Sequence, residues 1–143
     1  MKRIYLTHCS REKDAELEKS GEETTPDRLY TSESLQRFIR FCKKKGFEWA
    51  IFSDQYGVVF PDELISWYSK PPAEVTAEEF EQLLQSFTAR LAGYDEIFFL
   101  HRKGETHPLF KRIVELSRNA GLPVVEFSEE NITDLKHKEE QWN

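Results

Sequence analysis

Two apolar segments in the first half of the chain each end abruptly in polar residues that could carry chemistry. Cys9 and Ser10 follow the first segment, and Ser53, Tyr56 and Gly57 follow the second. A cysteine at the end of a strand, close to the free amides of a helix N-terminus, can ionise and act as a nucleophile. The sequence therefore predicts Cys9 as a catalytic residue, with a buried thiol that only packs as the alternative.

The residues around these two positions suit an anionic ligand and proton transfer. Ser10 and Lys13 supply a hydroxyl and an ammonium group that can orient a phosphate. The Tyr56 hydroxyl can donate or accept a hydrogen bond, which makes Tyr56 a second catalytic candidate. Gly57 predicts a backbone conformation, or a close approach of another segment, that a side chain would prevent. A purely structural turn is the alternative for Tyr56 and Gly57.

A third apolar segment ends in His101 and Arg102. A histidine can serve as acid or base near neutral pH or contact the edge of a nucleobase, and an arginine can bind an anion. We therefore predict His101 as catalytic and Arg102 as ligand-binding, with a structural histidine as the alternative. Because the histidines and Cys9 do not have the spacing of a known metal site, no metal and no cofactor is predicted.

The elements that must position these residues are read from apolar runs and helical stripes. Four buried strands are predicted, at residues 4–6, 47–53, 97–100 and 123–127. Amphipathic helices are predicted from the stripe of Leu35, Phe38, Ile39 and Cys42, from Leu64, Ile65 and Tyr68, from the Thr76 and Glu79 capping box onward, and over 109–116. A loop over 11–27 contains a helical turn at 15–19.

Strands that alternate with helices predict an α/β fold. The expected architecture is one open parallel sheet of about four strands in the order 2-1-3-4, with helices on both faces. Ligands bind such sheets outside the carboxyl ends of the strands, where the strand order reverses. The polar residues at the ends of the first three predicted strands should therefore gather at one edge of the sheet.

Composition limits the class of protein. The chain of 143 residues has a net charge of -6 and 38% hydrophobic residues, which predicts one domain over 1–127 and a polar C-terminal tail over 128–143. The acidic charge argues against broad capture of nucleic acid but leaves room for a local basic patch. Two cysteines and no long apolar run predict free thiols, no membrane segment and a cytoplasmic location.

Three ordered motifs together carry a resemblance. They are Cys9-Ser10-x-x-Lys13, then Leu29-Tyr30-Thr31-Ser32, then Ser53-x-x-Tyr56-Gly57-x-x-x-Pro61 with Tyr68 after it. The pattern resembles a family of small bacterial and archaeal α/β domains without an assigned activity, and is distantly similar to the YaaA peroxide-stress proteins. The resemblance implies one site made of Cys9, Ser10, Lys13, Tyr30, Ser53, Tyr56, Gly57 and Tyr68.

The chain is also similar to the core domain of archaeosine synthases, which modify a tRNA base through a Pro-Cys-Ser-x-x-x-Lys motif. It departs from that motif because His8 replaces the proline and Lys13 lies one residue closer to the cysteine. The Pro-Tyr and Ser-His elements of those enzymes are also missing. The resemblance thus implies a nucleotide site, and does not imply the lysine-transfer reaction.

These observations predict an enzyme that acts on a nucleobase, a nucleoside or a nucleic-acid base. Cys9 would be nucleophile or anchor, Ser10 and Lys13 would orient a phosphate, and Tyr56 and His101 would move protons. The alternative is a non-catalytic module that binds a nucleotide or nucleic acid. A third hypothesis is a protein-interaction domain that uses aromatic residues around Trp67 and the acidic tail. The sequence leaves the oligomeric state open.

Overall fold

A computed structural model describes residues 1–102 and 106–128 of the chain, which form both strands and helices. The strands are β1 (Arg3–His8), β2 (Trp49–Ser53), β3 (Gly57–Val59), β4 (Glu96–His101) and β5 (Val124–Ser128). The α-helices are α1 (Ala15–Ser20), α2 (Pro26–Leu29), α3 (Glu33–Lys45), α4 (Ala77–Arg90) and α5 (Pro108–Asn119), and a 3₁₀ helix spans Pro72–Glu74. The predicted α/β class is confirmed.

The strands form one mixed sheet in the order β3-β2-β1-β4-β5. The four predicted strands correspond to β1, β2, β4 and β5, which are parallel to one another and follow the predicted relative order. The prediction of a four-stranded, fully parallel sheet is wrong, because β3 adds an antiparallel edge strand beside β2. Residues 54–56 between β2 and β3 are too few for a crossover, so the chain can only reverse.

Helices cover both faces of the sheet, as predicted. Successive side chains of a strand point to opposite faces. On one face Phe52 contacts Phe87 of α4 and Phe110 of α5. On the other face Tyr5 stacks on Phe47, which in turn meets Phe41 of α3. The central strand β1 is therefore enclosed from both sides, and its end is a protected position.

Local signals in the sequence correctly located several elements. The stripe of Leu35, Phe38, Ile39 and Cys42 is the buried face of α3, which confirms the packing role of Cys42. Thr76 and Glu79 form the predicted capping box of α4, with each side chain bonded to the other residue's backbone amide. The helical turn predicted at 15–19 is α1, which begins after the Asp14 cap.

The helix predicted around Leu64, Ile65 and Tyr68 is absent. Ile65 instead forms a bridge with Thr24, in which the two residues exchange backbone hydrogen bonds of 2.8 and 2.9 Å. This pairing holds the segment extended, so that Ile65 and Tyr68 are buried while Leu64 is exposed. The three-residue spacing of Ile65 and Tyr68 fits a helix, but it arises because both side chains of this irregular segment point into the core.

Ser128 ends β5, and the rest of the predicted C-terminal tail lies outside the described residues. None of the helices that the structure describes is long and apolar enough to cross a membrane.

Candidate functional site

A cavity of about 590 Å³ opens at the carboxyl ends of β1 and β2, beside the start of α5. Its walls come from the turn after each of these strands, from the segment before the 3₁₀ helix, and from α5. Predicted site residues that line it are Cys9, Ser10, Lys13, Tyr68 and Arg102. A cavity therefore lies at the edge of the sheet where the sequence predicts a site, and half of the ten predicted residues line it.

Cys9 lies at the floor of the cavity. Its amide continues the pairing of β1 with β2 by donating to the carbonyl oxygen of Phe52 at 2.9 Å. Cys9 is 7% exposed, and its Sγ lies 3.4 Å from Oδ1 of Asp54. Burial, and then the charge of Asp54, raise the pKa of the Cys9 thiol to about 12. At neutral pH the thiol therefore stays protonated and donates a hydrogen bond to the Asp54 carboxyl group.

Asp54 is the functional candidate that sequence reasoning missed. It directly follows β2 and is 3% exposed, and the sequence placed it only in a polar turn. Burial raises the pKa of its carboxyl group, although the Cys9 thiol and the positive charge of Lys13 act in the opposite direction. A buried carboxyl group whose pKa is raised keeps its proton to a higher pH than an exposed one, and such a group can act as an acid or a base. Its position beside Ser53, immediately after a buried strand, was the available signal.

A chain of hydroxyl groups lies behind Asp54 and Cys9. The Ser53 Oγ accepts the backbone amides of Gln55 and Tyr56 at 3.1 and 3.0 Å and donates to the Tyr68 hydroxyl at 3.0 Å. The Tyr68 and Tyr30 hydroxyls are 2.6 Å apart. Burial raises the pKa of both tyrosines well above the ordinary value, so both remain neutral. Ser53 and Tyr30 thus support Tyr68 from behind the cavity wall.

Lys13 brings a positive charge over this wall. Its Nζ lies 4.3 Å from the centre of the Tyr68 ring and 5.9 Å from that of Tyr30, in cation–π geometry. A backbone bridge between Lys13 and Tyr30 holds the chain at Lys13 against Tyr30. Burial lowers the pKa of the Lys13 ammonium group, and the nearby Cys9 and Asp54 oppose that shift.

The cavity lining carries more positive than negative groups, although the chain as a whole is acidic. Its cationic residues are Arg11, Lys13, Arg102 and Lys70, the last of which pairs with Glu79, and its acidic residues are Glu12 and Asp54. Ser10 lies at the same mouth and donates its hydroxyl proton to the carbonyl oxygen of Glu12 at 3.2 Å. A local excess of positive charge of this kind favours an anionic ligand.

Arg102 is 1% exposed and braces the turn after β1. Its guanidinium group donates to Oγ1 of Thr7 at 3.0 Å and to the carbonyl oxygens of His8 and Cys9. His8 stacks on Phe110, with ring centres 5.1 Å apart. Burial, followed by the charge of Arg102, lowers the pKa of His8 to about 3. His8 is therefore a neutral wall of the cavity, and Arg102 shapes the backbone that presents Cys9.

Five predicted site residues do not line this cavity: Tyr30 and Ser53 lie behind its wall, and His101, Tyr56 and Gly57 lie away from it. The Nε2 of His101 lies 2.6 Å from Oε1 of Glu126 on β5. Burial, with the charges of Lys111 and Arg118, lowers the pKa of His101, so the neutral ring donates this bond at neutral pH. The structure therefore does not bring His101 to Cys9.

Tyr56 and Gly57 lie on the far side of Asp54. The Tyr56 hydroxyl donates to the carbonyl oxygen of Ser66 at 3.1 Å, and its ring packs edge-on against Tyr68 at 5.4 Å. Gly57 has a φ of +76°, and a Cβ atom there would lie 2.4 Å from Oγ of Ser86. Gly57 therefore has both the special backbone conformation and the close approach that the sequence offered as alternatives, while its role in ligand binding stays a prediction.

Two further predictions concern metal binding and an interaction surface around Trp67. Among residues 1–102 and 106–128, no group of three or more histidine, cysteine, aspartate or glutamate side chains is arranged to hold a metal ion. Trp67, the centre of the hypothesised interaction surface, is half-buried and lines the cavity. The acidic tail of that hypothesis lies outside the described residues.

No family model matches the chain, and no curated protein matches it.

Proposed function

We propose that the protein is an enzyme that binds a nucleobase, a nucleoside or a nucleotide in the cavity at the ends of β1 and β2. The observation that carries this proposal is the buried pair of Cys9 and Asp54, with 3.4 Å between Sγ and Oδ1, at the floor of a cavity with a cationic mouth. Proton-transfer groups and charge complementarity for an anion occur together in this one space. The same cavity would accept an unpaired base of a nucleic acid.

The walls suit a planar ring that carries an anionic substituent. Trp67, Tyr68 and Phe110 contribute aromatic surface to the cavity, and aromatic side chains stack on bases with little preference for sequence. Arg11 and Lys13 at the mouth supply the charge that a phosphate requires. A nucleotide fits these features better than an apolar ligand or a cation does.

Asp54 is the proposed acid–base residue. A carboxyl group whose pKa is raised can accept a proton in one step and return it in the next. Cys9 donates a hydrogen bond to Asp54 in the resting protein, which makes it an anchor for that carboxyl group. Cys9 becomes a nucleophile only when Asp54, in its ionised form, takes the thiol proton, which couples the two side chains in any covalent mechanism.

A non-catalytic nucleotide-binding module is the second candidate. The observation in its favour is the protonated thiol, whose pKa is raised to about 12, because the thiolate is the nucleophilic form of cysteine. The two candidates share the binding step and differ in whether the bound molecule is changed.

Binding is tested by calorimetric titration with the common nucleoside 5′-monophosphates. Lys13→Met should weaken the affinity about tenfold through loss of one charge contact. Lys19→Met is the matched control, because Lys19 lies on α1 with a side chain that is 76% exposed. Absence of binding by the wild type, or equal weakening by both substitutions, would refute the nucleotide site.

Catalysis is tested by incubation with nucleosides and nucleotides, followed by chromatography and mass spectrometry. Asp54→Asn should retain binding and reduce turnover by at least about a hundredfold, the usual contribution of a general acid or base. Binding without any product in the wild type would instead support the binding module.

A further inference from the structure

A second and smaller pocket, of about 190 Å³, lies on the other side of Asp54. Gln55, Tyr56, Gln82 and Ser86 contribute polar side chains to its lining. Asp54 and Lys70 line both this pocket and the larger cavity. The two spaces therefore meet at the proposed acid–base residue.

Lys70 borders both spaces, and its ammonium group pairs with Oε2 of Glu79. The other oxygen of Glu79, Oε1, accepts the amide of Thr76 at 3.1 Å in the capping box of α4. Helix α4 therefore holds the carboxylate in place, while Lys70 belongs to an irregular segment. Separation of this ion pair would leave the helix unchanged, because the capping box holds Glu79 independently of Lys70.

The size of the smaller pocket limits what it can hold. At ~30 Å³ for each water molecule, its volume corresponds to roughly six waters. Its amide and hydroxyl groups can bond water or a small polar molecule, and the space is too small for a second nucleotide. A ligand in the larger cavity would cover the opposite side of Asp54 and displace water from it.

We propose that the smaller pocket delivers water to Asp54 from the side opposite the bound ligand, which makes the reaction in the cavity a hydrolysis. This inference rests on the proposed function for its chemistry. In the step R–X + H₂O → R–OH + H–X, a water that has passed from the smaller pocket to the ligand side of Asp54 gives one proton to the Asp54 carboxylate as its oxygen bonds to R. The electron pair of the broken R–X bond leaves with X, and Asp54 returns the proton to X.

A filling substitution at Gln82 tests the water route without any ligand. Gln82 and Gln85 are both exposed on α4, and Gln82 lines the pocket whereas Gln85 does not. Gln82→Phe should displace water from Asp54 and raise the pKa of its carboxyl group, measured by carbon NMR, while Gln85→Phe should leave it unchanged. Cys9, Lys13, Tyr68 and Lys70 also face Asp54, and neither substitution replaces them.

Equal Asp54 titration curves for the two variants would overturn the water route. If Gln82→Phe unfolds the protein, Gln82→Leu provides the same comparison with a smaller filler. These outcomes do not depend on nucleotide binding, so the water route can stand if the proposed function fails.

The hydrolytic step is tested with a ligand that the cavity turns over. Gln82→Phe should slow turnover about tenfold without weakening nucleotide binding, and product formed in H₂¹⁸O should carry one ¹⁸O atom. Product without the label, or equal turnover by the Gln82→Phe and Gln85→Phe variants, would overturn hydrolysis while the proposed function remains.

Discussion

The carboxyl ends of β1 and β4 are neighbours in the sheet, and each strand ends in a histidine, yet only one of the two histidines lines the cavity. His8 at the end of β1 is 1% exposed and contacts Phe110, Thr106 and Arg102. His101 at the end of β4 bonds instead to Glu126 on the edge strand β5. Position at a strand end is therefore not sufficient to make a residue part of the site.

The position of each strand in the sheet explains the difference. β1 is the central strand and is covered on both faces, so polar groups at its end must find partners in the interior. β4 lies next to an edge strand, and Glu126 and Arg118 offer its end half-exposed charged partners. The chemistry concentrates at β1 and β2 because Cys9, Asp54 and His8 are buried close together there, and burial alters the proton affinity of each of these side chains.

The largest expected effect follows removal of the buried guanidinium group at the end of β1. Arg102→Leu leaves two backbone carbonyls and the Thr7 hydroxyl without their charged donor, which should lower the free energy of unfolding by about 3 kcal/mol or more. His101→Leu, at the adjacent position, should lower it by less than about 1 kcal/mol. Urea denaturation of both variants measures the difference, and similar losses would contradict the comparison.

The next effect is a dependence of stability on pH that arises from His8. Its pKa in the folded protein is about 3, below the ordinary 6.5, so the folded state binds fewer protons than the unfolded state between these values. Its contribution to stability is therefore complete above pH 6.5 and is lost as the pH falls. At pH 4 this loss should be about 3 kcal/mol.

The matched variants for this pH effect are His8→Gln and His101→Gln. Thermal unfolding from pH 7 to pH 4 should show a flatter pH dependence for His8→Gln than for the wild type, and a nearly unchanged one for His101→Gln. A wild-type slope in His8→Gln would show that another group causes the acid sensitivity.

A smaller effect of opposite sign is expected at Asp54. Its pKa in the folded protein is raised by burial, so the unfolded state loses its proton first and stability falls as the pH rises from 3.8 through the folded pKa. Asp54→Asn removes this cost and should raise the Tm at pH 7, with the gain vanishing at pH 3. Asp62→Asn changes an exposed carboxylate and serves as the control. A lower Tm for Asp54→Asn at pH 7 would show that the ionised carboxylate stabilises the fold.

The smallest effect is expected at the end of β4. Glu126→Gln removes the charge that pairs with His101 and Arg118, but these side chains are partly exposed to solvent. The free energy of unfolding should fall by less than about 1 kcal/mol, and calorimetric titration should find nucleotide affinity unchanged. A weakened affinity would extend the site to β4 and break the comparison between the two strand ends.

The part of the site that the sequence predicts well rests on local geometry. Gly57 was identified from its position after a strand, and its positive φ and the close approach of Ser86 agree with that interpretation. Cys9, Ser10 and Lys13 lie close together in the chain, so the turn after β1 brings all three to the cavity. Residues that are neighbours in sequence need only one correct element boundary to be placed correctly.

The relation between Cys9 and Asp54 depends on contacts over long sequence separation. Their side chains meet because β1 and β2 pair in one register, with His8 opposite Phe52. Both strands can be predicted from the sequence, but the register in which they pair cannot. The location of His101 outside the cavity was not predicted for the same reason, because its partner Glu126 is set by the pairing of β4 with β5.

The amino-acid sequence by itself determined the α/β class, the main helices and the edge of the sheet at which polar residues gather, because apolar periodicity and capping residues act over a few neighbouring positions. The tertiary structure alone decided that β3 reverses at the edge, that Tyr68 lies in an extended segment, and that Asp54 joins Cys9 while His101 turns to Glu126. These outcomes depend on burial and on pairing between distant segments, and burial is also what gives the thiol, the carboxyl group and His8 their altered pKa values.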